Sequence, residues 1–355
     1  MSISTDEQRP SRLSQMVNAE WLMAQNFPPT QYVVPGIIPE GLTLLVAAPK
    51  IGKSWMVLGL GVACASGGYA LGHVKVDQRP VLYLALEDGH RRLQSRLRSL
   101  DVTRPPAGLH FLTHVANGGI LDTIWEFMNE HRHAAPLVVL DTLGKAMPPS
   151  LGNETQYNRD YRVTGALKGL ADAVPGSSLI LVHHTRKAEG ADFLDAVSGT
   201  QGIAGAADTI AVLRRDRNEQ GAILNVTSRD AKEGEYALIL DDCGNWEING
   251  TTLEEAAAAA NTEHATAGVG DRMAEIIATV NRYPQGVRRK DLAGLLHMDD
   301  AQLGKYLRRA YDSGRISNPS RGLYTPVTSV ISDTFEIPEH DTSDRYDTPP
   351  LGETA

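Results

Sequence analysis

Residues 47–54 read "AAPKIGKS". Ahead of them runs the apolar stretch "LTLLVAA" (42–48), and behind them come Trp55 and a second apolar run, "MVLGLGVACA" (56–65). Gly52-Lys53-Ser54 has the spacing that closes a phosphate-binding loop, G-x-x-x-x-G-K-[ST], but Ala47 stands where that pattern has its first glycine. The context outweighs the mismatch. A strand, a short loop and a helix start form the setting in which successive backbone N–H groups and the helix dipole face a phosphate. The residue ending the strand accepts a Cβ if its φ is negative, whereas position 52 lies beside the phosphates, where bulk is least tolerated. The stretch Ala48, Pro49, Lys50, Ile51, Gly52, Lys53, Ser54 and Trp55 is therefore expected to bind ATP. Lys53 would reach the β- and γ-phosphates and Ser54 would ligate Mg²⁺. The alternative is a strand-to-helix turn with an incidental Lys-Ser.

Outward from this loop, between Gly41 and Asn249, short apolar runs alternate with helical patterns, the mark of a mostly parallel sheet covered on both faces. The runs are "LTLLVAA" (42–48), "PVLYLALE" (80–87), "LHFLTH" (109–114), "PLVVLD" (136–141), "SLILVHH" (178–184), "TIAVLRR" (209–215) and "AILNVTS" (222–228). Seven strand candidates make one α/β domain.

Composition sets the outer bounds. With 355 residues, 42% apolar and 22% charged, the chain has room for one large domain and a small one. No apolar stretch is long enough to span a bilayer, and "MSISTDEQRPSRLSQ" lacks the apolar centre of a signal peptide, so a cytoplasmic location is expected, without a membrane partner. Cys64 and Cys243 have no metal-ligand spacing and are expected to be buried spectators. The formal net charge of -9 is unevenly spread: residues 271–325 hold ten Lys/Arg against six Asp/Glu, and residues 326–355 one against seven. That division gives a disordered start (1–17), an ATPase domain (18–250), a linker partly helical through its alanines but with little to bury (251–270), a basic module (271–325) and an acidic, Pro/Thr-rich tail expected to be disordered (326–355).

Hydrolysis needs groups for the metal and the water. Asp141 ends an apolar strand, as a Walker B carboxylate does. Glu87 and Asp88 end another, and a carboxylate on a strand neighbouring the phosphate loop polarises the attacking water. A helix cap before "GHRRLQSRL" is the alternative role, and Asp88 fits it better than Glu87. Thr142, not a glutamate, follows Asp141, which separates a RecA-type core from an AAA+ one.

Five ordered stretches carry a resemblance. "VVPGIIPEGLTLLVAAPKIGKSW" (33–55), "VLYLALED" (81–88) followed by "RRLQSRL" (91–97), "VVLDTL" (138–143), "LILVHHTRKA" (179–188) and "DAVSGTQGIAGAADTIAVLRR" (195–215) resemble the hexameric replicative helicases of plasmids and phages. These are RepA-like ATPases of the RecA superfamily, related to DnaB-type helicases. The resemblance covers about residues 18–249 and implies a RecA-like P-loop core, a ring of six subunits, and single-stranded DNA as partner. It also implies that His184 senses the γ-phosphate, with an ordinary pair of strand-end histidines as the alternative. The Gly- and Ala-rich segment 188–208 would then be a DNA-contacting loop with Arg186 and Lys187 beside it, or else a plain surface loop. RecA-type sites lie between subunits, so a neighbour must supply a cation. Arg229 is the first candidate for that finger, ahead of Arg214, Arg215 and Arg217.

In the basic module, apolar positions Met273, Ile276, Ile277 and Val280, then Leu292, Leu295 and Leu296, then Leu303, Tyr306, Leu307 and Ala310 mark three helices. Strands "RIS" and "LYT" flank "NPSRG" (318–322), which completes a winged helix. Lys305, Arg308, Arg309 and Arg321 are its candidate phosphate contacts. Duplex DNA is one partner it suits. A replication protein, whether primase, loader or initiator, is the other, since Asp299 and Asp300 open the third helix. For the whole chain the readings are an ATP-driven motor unwinding DNA and a DNA-binding regulatory ATPase that switches without unwinding.

Overall fold

The structure is a computed structural model and describes residues 16–116, 119–184, 201–215, 219–266 and 268–327. It divides into two compact units between Asn261 and Thr262. The expected disorder of residues 1–15 and 328–355 concerns residues outside those described.

All seven strand candidates form strands of one sheet: β1 (Gly41–Ala47), β2 (Val81–Ala85), β3 (Leu109–Leu112), β4 (Leu137–Asp141), β5 (Ser178–His184), β6 (Thr209–Arg214) and β7 (Gly221–Ser228). Two more, β8 (Gly234–Leu240) and β9 (Trp246–Ile248), extend it to nine strands in the order β9-β8-β7-β6-β1-β5-β4-β2-β3. The six strands from β6 to β3 in that order pair in parallel, and β7, β8 and β9 continue the sheet antiparallel. Period-2 alternation distributes the apolar side chains. Leu45, Tyr83, Val139, Ile180 and Val182 face one core with helix α1 (Lys53–Ser66), and Leu44, Val46, Leu84, Val138, Leu140 and Leu181 face the other with α3 (Ile120–Glu130) and α4 (Gln156–Asp172). Helix α2 (His90–Ser99) follows β2 and reaches the first core through Leu93. Because α1 is central, nearly all of it is buried: Met56, Val57, Leu58 and Leu60 are all at or below 3% exposure. Each such side chain contributes roughly 1.5–3 kcal/mol of transfer free energy.

The linker expectation needs correction. Residues Leu253–Thr266 form a helix, α5, and Ala256 and Ala260 are fully buried, Ala260 against Ile223 of β7 and Ala237 of β8. Alanine's single methyl lets a helix lie close on the sheet, so the Ala-rich run has something to bury after all. Cys243 also departs from expectation, being exposed, whereas Cys64 is buried and its thiol is pushed up to about 11 by that burial.

The second unit has α6 (Asp271–Asn281), α7 (Arg289–Leu295) and α8 (Asp300–Asp312), followed by the antiparallel pair Ile316–Ser320 and Leu323–Pro326, with Val287–Arg288 pairing alongside. Ile276, Leu292, Leu303 and Leu307 make its core. Asn318, Pro319 and Ser320 belong to the first strand, so only Arg321 and Gly322 form the tip. Pro326, assigned to the tail from sequence, ends the second strand. Among the described residues, no helix is long and apolar enough to cross a membrane.

Two consequences of α5 can be measured. Ala260→Leu should cost about 1–3 kcal/mol by overpacking and lower the Tm by several degrees, while Ala258→Leu on the exposed side should leave it within a degree or so. A chain ended after Gly250, stripped of α5, should melt below one ended after Thr266. Equal melting temperatures would mean that α5 contributes nothing to the sheet.

Candidate nucleotide-binding site

The phosphate loop leaves β1 at Ala47, which is not among the residues of positive φ, and turns back through Lys50 (φ +68°) and Gly52 (φ +105°). At Gly52 a side chain would be strained by φ alone, and its Cβ would stand 2.9 Å from the Trp246 ring. Loop and helix start are thus built as the sequence requires, with α1 beginning at Lys53 and its first N–H groups free of any side-chain cap.

Lys53 is 4% exposed. Its ammonium donates to Ala47 O (2.9 Å), to Ala48 O (3.0 Å) and to His184 Nδ1 (2.8 Å). An ammonium has three donors and no acceptor, so all three are used and His184 must accept at Nδ1. Its proton is then on Nε2, 3.7 Å from Glu87 Oε2. Burial lowers the Lys53 pKa to about 8, against the pull of the Asp141 and Glu87 carboxylates.

Glu87 reaches this site by a route the sequence did not indicate. Its strand, β2, does not neighbour β1; β5 and β4 lie between them. The residue lies just past the end of β2, where Leu86 N donates to Asp141 O (2.8 Å), and Glu87 Oε1 accepts from Thr142 Oγ1 (2.8 Å). Asp88 does not cap α2, whose N-cap is Gly89. Its buried carboxylate instead pairs with Arg92 (2.8 Å) and Arg96.

Asp141 is 3% exposed and its Oδ2 accepts from the buried Tyr83 hydroxyl (2.7 Å). Its Oδ1 is buried and makes no hydrogen bond of normal geometry. Burial pushes the Asp141 carboxyl up, against the Tyr83 hydrogen bond and the nearby Ser54 hydroxyl, which pull it down. A buried carboxylate oxygen without a hydrogen bond of normal geometry, next to the Ser54 hydroxyl, makes with it a fitting pair of hard oxygen donors for Mg²⁺. The loop's N–H groups and the Lys53 ammonium fit a nucleotide phosphate.

Arg215 lies on this same rim, Nη1 3.4 Å from Ile51 O and Nε 2.6 Å from Glu219 O, so it serves its own chain's loop. Arg214 pairs with Glu235 at 3.5 Å. Arg229, exposed, follows β7 at the opposite rim: Thr209 pairs with both Ser228 and Thr43, so at least ~13 Å of strand separates it from its own phosphate loop. Arg186, Lys187 and Arg217 fall outside the described residues. Lys305, Arg308 and Arg309 are exposed on α8 and Arg321 at the strand tip. The two acids that open α8 have structural partners, Asp299 capping through Gln302 N (3.1 Å) and Asp300 pairing with Arg289 (2.8 Å).

Three contributors escaped the sequence. Tyr83 and Thr142 hold the two carboxylates, and Trp246 in β9 donates its indole N–H to Gly52 O (3.0 Å). Nothing in "DDCGNW" points to a loop some 190 residues away. A cavity of about 220 Å³ opens beside it, lined in part by Trp55, Met56, Asn245 and Trp246, with Arg96 over the Trp55 ring at 5.5 Å.

Fold and site together define a P-loop ATPase. The chain belongs to the AAA domain family, whose model matches residues 7–190. Among solved structures, its fold is similar to an isolated ATPase domain at 15% identity, over 59% of this chain and 84% of that one, TM-score 0.46. It is also similar to a DnaB-like replicative helicase whose interactions with primase were described, at 15% identity over 58% of this chain and 57% of that one, TM-score 0.46. A third is a KaiC-like protein from the archaeon Pyrococcus horikoshii OT3, at 14% identity over 62% of this chain and 100% of that one, TM-score 0.44.

Trp246→Phe keeps an aromatic ring but removes the donor to Gly52 O. The loss of about 1 kcal/mol should lower the Tm by about 2–4 °C and weaken binding of a fluorescent ATP analogue by up to roughly fivefold. Unchanged affinity would mean the loop holds its shape without this bond.

Proposed function

We propose that the chain is a DnaB-type ATPase motor that hydrolyses ATP between the subunits of a ring and translocates on single-stranded DNA, in the replication of a plasmid, phage or other mobile element. The observation that carries this reading is the line of contacts Lys53–His184–Glu87–Thr142, which joins the phosphate loop to the ends of β5, β2 and β4. Every Lys53 donor is occupied, so a phosphate oxygen that engages the ammonium takes the place of one of its three acceptors. If that acceptor is His184, the end of β5 learns that nucleotide has arrived. The segment that follows β5 is the one proposed to meet DNA, with Arg186 and Lys187. ATP binding is thereby linked to a grip on the strand.

In this reading Glu87 acts as the general base toward water, with Thr142 orienting its carboxylate. Ser54 and Asp141 would hold Mg²⁺, which would supply positive charge against the phosphate oxygens. Trp55, with the Arg96 guanidinium over its ring, provides a cover for the base of the nucleotide. Arg229, too far along the sheet to serve its own site, suits action on a neighbour's phosphates in the ring. The second unit is read as a winged helix that recruits the motor to duplex DNA or to a primase, loader or initiator. Lys305, Arg308, Arg309 and Arg321 face solvent without competition from Asp299 and Asp300, which favours DNA. The other function, a switch ATPase without unwinding, differs in a measurable way: it would bind DNA with ATP yet displace no duplex strand.

Lys53→Ala should abolish ATP hydrolysis. Glu87→Gln should retain nucleotide binding and lose turnover by at least about a hundredfold, measured by phosphate release against analogue binding. Normal turnover in Lys53→Ala would sink the site assignment, and strand displacement by the wild type separates motor from switch.

Arg229→Ala and Glu87→Gln subunits, each inactive alone, should recover part of the ATPase when mixed, because some interfaces pair an intact Glu87 with an intact Arg229. No recovery in rings shown to be mixed would move the finger elsewhere.

For the second unit, Arg308→Ala with Arg309→Ala should flatten the salt dependence of duplex binding by about two units in log–log slope. An unchanged slope would turn the module from DNA to protein docking.

A further inference from the structure

Tyr83 carries a polar group that its packing does not need. Its side chain is fully buried on β2, with its ring tilted against Phe111 at a centroid distance of 5.8 Å and set in the same core as Leu45, Val139 and Val182. A phenylalanine would fill this space with nothing to satisfy. The buried hydroxyl must find a partner, and the one it finds is the Asp141 carboxylate, to whose Oδ2 it donates at 2.7 Å. Register makes the bond possible: Tyr83 pairs with Val139 and Ala85 with Asp141, so Tyr83 and Asp141 lie on one face of adjacent parallel strands, two positions apart.

Asp141 is thereby held at one oxygen and lacks a partner at the other. Its Oδ1 is buried without a hydrogen bond of normal geometry, and the Ser54 hydroxyl stands beside the carboxylate. The neighbouring cations are engaged elsewhere. Lys53 donates to Ala47 O, Ala48 O and His184 Nδ1, and Arg92 and Arg96 pair with Asp88. A carboxylate only 3% exposed is costly to keep ionised without a positive charge, so the partner that Oδ1 calls for is a cation.

Divalent cations use a carboxylate in different ways. Mg²⁺ is small, demands an octahedral shell of oxygens at about 2.1 Å and keeps several of its waters, whereas Ca²⁺ takes about six to eight oxygens at longer distances and accepts both oxygens of one carboxylate. With Oδ2 committed to the Tyr83 hydroxyl, Asp141 has one oxygen to offer, to the metal or to a water that the metal holds. The two-oxygen grip that suits Ca²⁺ is blocked.

We infer that Tyr83 is a positioning residue that sets the cation preference of the site: by holding Asp141 Oδ2 it leaves Oδ1 alone for the metal, which favours Mg²⁺ over Ca²⁺. This rests on the reading of Ser54 and Asp141 as the metal ligands and adds what decides which metal they take.

The test uses the full chain and a fluorescent ATP analogue, its binding followed by anisotropy in EDTA and along titrations with Mg²⁺ and with Ca²⁺. In the wild type, Mg²⁺ should tighten binding with a half-effect concentration at least about tenfold below that of Ca²⁺. Tyr83→Phe keeps the ring and releases Oδ2. Its affinity in EDTA should stay within about twofold of wild type, while the ratio of Ca²⁺ to Mg²⁺ half-effect concentrations should fall about tenfold. Melting curves check that the variant is folded. A merely structural role would move both cations by one factor, so a common shift, or no shift, overturns the inference. Equal half-effect concentrations in the wild type overturn it without any variant. Asp141→Asn separates this inference from the reading beneath it. If that variant loses the cation effect while Tyr83→Phe keeps the wild-type ratio, the metal ligands stand and the role of Tyr83 falls. If Asp141→Asn responds to both cations as the wild type does, Asp141 is no ligand and both fall.

Discussion

A buried ammonium that needs three acceptors is the constraint on which the nucleotide site depends. Removing a charge from water is costly unless hydrogen bonds replace the lost hydration, and Lys53 finds those bonds in places that exist only if the sheet is assembled correctly. Ala47 O and Ala48 O are turned toward it because β1 stops and the loop doubles back. His184 is there because β5 runs parallel to β1 in the register that pairs it with Ala47. A slip of one residue would exchange His184 for His183 and turn each side chain to the opposite face. His183 shows what the other face is like: its Nδ1 is buried without a partner, and burial lowers its pKa.

The same register logic assembles the acidic side. Ala85 pairs with Asp141, and Asp141 with Val182, so β2 and β4 end level and β5 runs two residues further, to His184. That alignment lets Tyr83, two residues before the end of β2, reach Asp141, and lets Glu87, two residues beyond it, reach Thr142. The strand ends act as one rim. Phosphate, metal and water chemistry can be served from it without any of the groups being neighbours in sequence.

The antiparallel extension has its own part in the site. β7, β8 and β9 carry the chain away from the parallel strands, and β9 returns Trp246 to the phosphate loop, where its ring fills the space that Gly52 leaves open and its N–H binds Gly52 O. Helix α5 then seals Ile223 and Ala237 with two alanines. The extension joins loop, sheet edge and α5 into one packed unit.

Read alone, the sequence determined whatever depends on period and spacing. Apolar runs located seven strands to within a residue or two, and Gly52-Lys53-Ser54 with its strand and helix located the phosphate loop despite Ala47. Glu87, Asp141 and His184 were legible because each ends an apolar run. Local pattern cannot say which strand lies beside which, because strand order is settled by long-range pairing and the helices that cover it. Hence the sequence set Glu87 next to the loop's own strand, when β5 and β4 in fact intervene. It likewise overlooked Trp246 and Tyr83, whose partners are far off in the chain, and took an alanine run for a linker, since the burial of a methyl depends on what the fold puts against it. Tertiary structure alone decided those, because a hydrogen bond or a packed contact requires two groups in one place, and one sequence position names only one of them.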